Sequence, residues 1–172
     1  EAIRESHMEK ITIFMSESEK NEVMDSYNLI DKSSKEYSKY VKLYPNIADE
    51  SVFVLKNVNQ PKIEELNPIL GKALLTVSGI EKMQAEVKGG FIDLYGKRIP
   101  ADSDLLSLFK NLSEDQRTQI SEQINKKLGD NMIVQAAAGA VKAEYEALGM
   151  DTDKIQNRYI VHTGMIMLLI SI

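Results

Sequence analysis

Histidine is the side chain most often used for proton transfer near neutral pH, and this chain has only His7 and His162. His162 lies inside the most apolar stretch of the sequence. An imidazole in such surroundings is more often a neutral core group with one hydrogen bond than a catalytic base. We therefore expect no catalytic residue and no enzymatic activity, with pH sensing at His162 as the alternative role.

Metal and thiol chemistry have little support in the composition. The absence of cysteine excludes thiolate zinc sites, iron–sulfur clusters and a cysteine nucleophile. Two histidines cannot build a three-histidine site. The carboxylates stand mostly where helices are expected to start, and Glu144 and Glu146 do not share a helix face because residues two apart point away from each other. We predict no metal and no cofactor.

Phosphate-binding loops are also missing. A P-loop requires Gly, four residues, then Gly-Lys and a hydroxyl residue, but Gly71-Lys72 is followed by Ala73, and Gly96-Lys97 is followed by Arg98. No dinucleotide fingerprint occurs. The formal charge of -5 and pI near 5.2 argue against a nucleic-acid partner. No small-molecule ligand is predicted.

The clearest structural signal is an amphipathic pattern over residues 17–44, which predicts one long helix. Ser16 and Glu19 form a capping-box pattern at its start, and Pro45 ends it. Such a helix would be about 40 Å long, longer than a compact small domain is wide. One face carries aromatic and aliphatic residues that we predict to contact a protein partner, with simple coverage of the core as the alternative. The residues of this face are Tyr27, Ile30, Tyr37, Tyr40, Val41 and Tyr44.

The opposite side of the same predicted helix carries four lysines. They are Lys32, Lys35, Lys39 and Lys42. This stripe could follow a polyanion, but no arginine accompanies it and the tyrosines point the other way, so a solvated face is favoured over a nucleic-acid contact.

The rest of the chain reads mainly as helix. Residues 11–15 and 51–58 are each ambiguous between a strand and another structure, and residues 91–99 predict a hairpin with its turn at Gly96. Helices are expected over 61–88, 103–111, 113–128, 131–148 and from Asp153 to the end. Capping pairs are expected at Ser113 with Gln116 and at Asp153 with Gln156, and Gly149 is expected to end the helix over 131–148. Short helices in such a series are typical of many viral and bacterial modules, a likeness of class only.

The apolar run Tyr159–Ile172 spans 14 residues, fewer than the roughly 20 that a bilayer span requires. A buried central pair formed by the last two helices is therefore favoured. The alternative is a membrane-active, pore-forming-like protein that inserts residues 131–172 as a helical hairpin.

Together these patterns predict an all-α or α-dominated fold: a helical bundle over about 61–172 with a long N-terminal amphipathic helix. Residues 1–7 are expected to be a vector-derived or disordered leader, and 8–172 a single domain. No secretory signal is visible, which with the absence of cysteine favours the cytoplasm. The predicted function is a non-enzymatic interaction or assembly protein that forms homo-oligomers through the aromatic face and the apolar C-terminal helices.

Overall fold

The computed structural model describes residues 2–87, 90–94, 97–100, 103–128 and 130–170, although some side chains within these ranges fall outside the description. Within the described residues the chain is helix-dominated, with 65% helix, eight α-helices and two small antiparallel sheets. The expected α-dominated class is confirmed at this level.

Five strands are described: β1 Ala2–Arg4, β2 Tyr27–Ile30, β3 Val52–Leu55, β4 Phe91–Leu94 and β5 Lys97–Pro100. The helices are α1 Glu5–Thr12, α2 Glu17–Ser26, α3 Tyr37–Tyr40, α4 Gln60–Glu86, α5 Leu105–Lys110, α6 Glu114–Leu128, α7 Asp130–Ala147 and α8 Thr152–Ile170. A 3-10 turn covers Pro45–Ala48.

The three-stranded sheet is built around β3, which pairs antiparallel with β1 on one side and β2 on the other. The β-branched segment 51–58 therefore contains a strand. The prediction of a disordered leader is wrong for β1, because Ala2 and Ile3 are buried and pair with Val54 and Phe53. These two residues are part of the core.

The prediction of one helix over residues 17–44 is wrong. α2 ends at Ser26, and the next four residues pair with β3 as strand β2. Beyond β2 the Asp31 carboxylate accepts hydrogen bonds from the hydroxyls of Ser33 and Ser34, at 2.7 and 2.9 Å. Such side-chain bonds offer the chain an alternative to the helix, and the sheet satisfies the backbone that the helix would have used.

Several local predictions are confirmed. Ser16 and Glu19 form the expected capping box at α2. Ser113 and Gln116 do the same at α6, with bonds of 3.3 and 3.1 Å. The segment expected to be a hairpin forms the pair β4 and β5, while its turn at Gly96 lies outside the described residues. The cap expected at Asp153 is wrong, because Asp151 accepts the backbone amide of Lys154 and begins α8.

The core lies on both faces of the three-stranded sheet, since successive strand residues point to opposite sides. The larger cluster packs α4, through Ala73, Val77 and Ile80, with α1, α2 and α6. The smaller cluster joins the sheet to the end of α7, where Leu148 is fully buried. Gly149 then ends α7 in the left-handed region, with φ of 82°.

Candidate functional site

The predicted aromatic face does not form one exposed surface. Tyr27 is buried in the larger cluster, and Ile30 and Tyr44 are buried in the smaller one. Tyr37, Tyr40 and Val41 are partly buried against that same smaller cluster. Because the chain changes from helix to strand at Tyr27, the regular spacing distributes these residues over two sides of the sheet. Their main role in the fold is to cover its core.

The four lysines are all exposed, but they do not follow one helix. Lys32 and Lys35 lie in the turn after β2, Lys39 lies in α3, and Lys42 follows α3. The ammonium of Lys39 is 5.0 Å from the centre of the Tyr40 ring, a cation–π distance. The predicted stripe is therefore divided between the turn after β2, α3 and the turn that follows α3.

A mixed apolar and basic surface is present where Lys42 and Leu43 meet the start of α8. Lys154, Ile155 and Arg158 line a shallow depression of about 300 Å³ with them. Large aliphatic side chains are exposed at this depression and further along α8: Leu43 51%, Ile155 48%, Ile160 59% and Val161 57%. We call these residues, with Lys42, Lys154 and Arg158, the α8 surface.

The expected burial of the α7–α8 pair is wrong for Ile160 and Val161 on α8, which are exposed. Residues 153–158, 160 and 161 are all exposed. The charged and amide residues of this segment, Asp153 to Arg158, keep its first two turns in water, so its aliphatic residues remain exposed beside them. His162 falls on α8, but its side chain lies outside the described part of the structure.

A buried carboxylate on α7 forms the most constrained polar cluster among the described residues. Glu144 is only 4% exposed and accepts hydrogen bonds from the backbone amide and the Nη2 group of Arg4, at 2.6 and 3.0 Å. His7 Nδ1 lies 2.5 Å from Glu144 Oε2, the same oxygen that accepts from Arg4 Nη2. We call Arg4, His7 and Glu144 the Glu144 cluster.

Two opposing effects act on the pKa of Glu144 in this cluster. Burial raises the pKa of Glu144, but the hydrogen bonds from His7 and Arg4 outweigh it and lower the pKa from 4.5 to about 2. Arg4 in turn has a raised pKa, chiefly through its hydrogen bond to Glu144. The cluster therefore holds a carboxylate that stays ionised, and it ties the first strand and helix to α7.

This cluster is not predicted from the sequence when residues 1–7 are taken as a leader. Arg4 and His7 lie 140 and 137 residues from their partner. Their three-residue separation is a weak signal that both could reach a single acid. A stronger signal was Glu144 itself, an acid that follows the small-residue segment of α7 and does not share a face with Glu146.

The described residues hold no group of three His, Cys, Asp or Glu side chains placed to bind a metal ion. In the same portion of the chain, none of the helices combines the length and the apolar character needed to cross a membrane.

Comparison of the chain with protein-family models, with curated proteins and with solved structures found no match.

Proposed function

We propose that this protein is a non-enzymatic interaction protein that self-associates through the α8 surface. The observation that supports this proposal is the exposure of Leu43 beside α8 and of Ile155, Ile160 and Val161 on α8. Exposed large aliphatic side chains beside polar residues are typical of contact sites between proteins. The aromatic face predicted from the sequence contributes indirectly, because its residues support α3 and the segment that carries Lys42 and Leu43.

The free energy gained by burying each residue is modest, and burial of a larger area contributes more. Removing a half-exposed aliphatic side chain from water contributes on the order of 1 kcal/mol. A stable contact usually buries about 800 Å² on each partner. Four side chains do not supply that area, so the contact would have to include residues around them as well.

The charges of the region favour a second copy as the partner. Lys154 and Arg158 line the same depression as Asp151, which is also exposed. In a two-fold interface the same patch meets itself, so it must carry both signs of charge. Asp151 of one copy could then face Lys154 or Arg158 of the other, while the aliphatic residues pack between them.

Size-exclusion chromatography with light scattering tests the proposal. We expect an oligomer for the wild type and a monomer for Ile160→Glu and for Val161→Glu, because each places a charge in the apolar contact. Leu108→Glu is the matched control, since Leu108 is 44% exposed on α5, away from α8, and should leave the oligomer unchanged.

A wild type that remains monomeric at every concentration would contradict self-association. Sedimentation with vesicles of anionic lipid supplies a second readout. A monomer that binds these vesicles and loses the binding in Ile160→Glu would show that a membrane surface, and not a second copy, occupies the α8 surface.

A further inference from the structure

A cavity of about 370 Å³ lies between the three-stranded sheet, α4 and α7. Its inner wall is formed by buried residues, among them Ile3 and Leu66. Asn67 and Val141 are the most exposed of its lining residues and mark the rim where it meets solvent. The volume falls within the range of small-molecule sites, about 300–1,000 Å³.

Gly71 keeps this cavity open. It lies in the interior of α4 and lines the cavity, and a Cβ atom built on it would have no neighbour within 4 Å. Glycine weakens a helix interior relative to alanine, so its presence has a cost to the fold. Helix packing does not require glycine here, because the space that its missing side chain leaves is empty of protein atoms.

The lining also defines the polarity of a ligand. Glu144 is the charged residue among those that line the cavity, and its oxygens already accept hydrogen bonds from Arg4 and His7. A cationic ligand would therefore find its counter-charge occupied, and an anionic ligand would find no cationic side chain among the lining residues. Apart from Asn67 and two tyrosines, the remaining lining residues are aliphatic or glycine.

We propose that this cavity binds a small, uncharged and mainly apolar molecule between α4 and α7. Binding would bury the apolar surface of the molecule against the sheet and α4, with any hydroxyl or amide group placed at the Asn67 rim. The proposal is independent of self-association through α8, since none of the residues of the α8 surface lines the cavity.

Titration of the full chain with N-phenyl-1-naphthylamine, an uncharged fluorescent probe, tests the proposal. We expect saturable binding of one probe per chain, and binding at least about tenfold weaker for the anionic analogue 8-anilinonaphthalene-1-sulfonate. Gly71→Met should fill the cavity and weaken the neutral probe by about tenfold or more. Gly139→Met is the matched control, because Gly139 is an exposed glycine inside α7 with equally empty surroundings.

Val141→Phe provides a second test if Gly71→Met does not fold as judged by circular dichroism. Val141 lies at the rim of the cavity on α7 and is 39% exposed. Because it lines the cavity, the larger phenylalanine ring can turn into it. We expect it to weaken the neutral probe as Gly71→Met does. Absence of saturable probe binding to the wild type, or equal affinity for the wild type and a folded cavity-filling variant, would overturn the proposal.

Discussion

Replacing Glu144 with Gln removes a buried negative charge from the Glu144 cluster while it preserves the size of the side chain. The carboxylate is 4% exposed, and its hydrogen bonds come from Arg4 and His7, which belong to the first strand and helix. An amide cannot balance the guanidinium charge and places an NH2 group where an acceptor is required. We therefore expect Glu144→Gln to loosen the attachment of β1 and α1 to α7.

The pKa of Glu144 gives the magnitude. It falls from an ordinary value of 4.5 to about 2, because the hydrogen bonds outweigh the effect of burial. Since each pKa unit corresponds to about 1.4 kcal/mol, the ionised carboxylate stabilises the fold by about 3 kcal/mol. Because the folded-state pKa is the lower one, this contribution is fully present above the unfolded pKa and is lost as the pH falls toward about 2.

Urea denaturation of both proteins between about pH 5 and about pH 2 measures this effect. At the upper end Glu144→Gln should be less stable than the wild type by about 3 kcal/mol, and the difference should shrink as the pH falls. Glu146→Gln is the control, because Glu146 is exposed and its pair with Lys142, at 3.6 Å, is screened by solvent and should contribute little to stability. Equal losses in the two variants, or a Glu144→Gln loss that does not change with pH, would refute the reasoning.

Two further predictions concern stability. Gly149→Ala should cost about 1–2 kcal/mol, because φ is 82° and the new Cβ would lie 3.0 Å from Asn46 Oδ1; an unchanged melting temperature would contradict this. Thr76→Val should cost about 1–3 kcal/mol in urea denaturation, since the buried hydroxyl lies 2.8 Å from Ser121 Oγ; removing both hydroxyls in Thr76→Val with Ser121→Ala should cost less than the sum of the single losses.

The sequence predicted the features whose causes are local. The capping boxes at Ser16 and Ser113 need residues only three apart, and the left-handed turn at Gly149 needs only the one residue type that tolerates it. The paired strands β4 and β5 were also predicted, because they are neighbours in sequence.

The errors arose where a distant partner decides the structure. Tyr27 and Ile30 fit a helical spacing, but strand β3, more than twenty residues further on, pairs with them and fixes the extended conformation. Glu144 is buried and ionised only because Arg4 and His7 reach it from the start of the chain. Periodicity within one segment contains no information about such partners. For the same reason the apolar half of α8 suggested burial, whereas Ile160 and Val161 are exposed.

Measuring the coupling between single spin labels on α8 of two copies tests self-association through the α8 surface, the central claim, most directly. The chain has no cysteine, so a single Gln156→Cys spin label on α8 reports on one position. Self-association through the α8 surface predicts dipolar coupling between the Gln156→Cys labels of two copies. It also predicts that this coupling is absent both for Glu122→Cys on α6 and after addition of Ile160→Glu. If the Gln156→Cys labels in the otherwise wild-type chain show no coupling at any protein concentration, self-association through the α8 surface is contradicted.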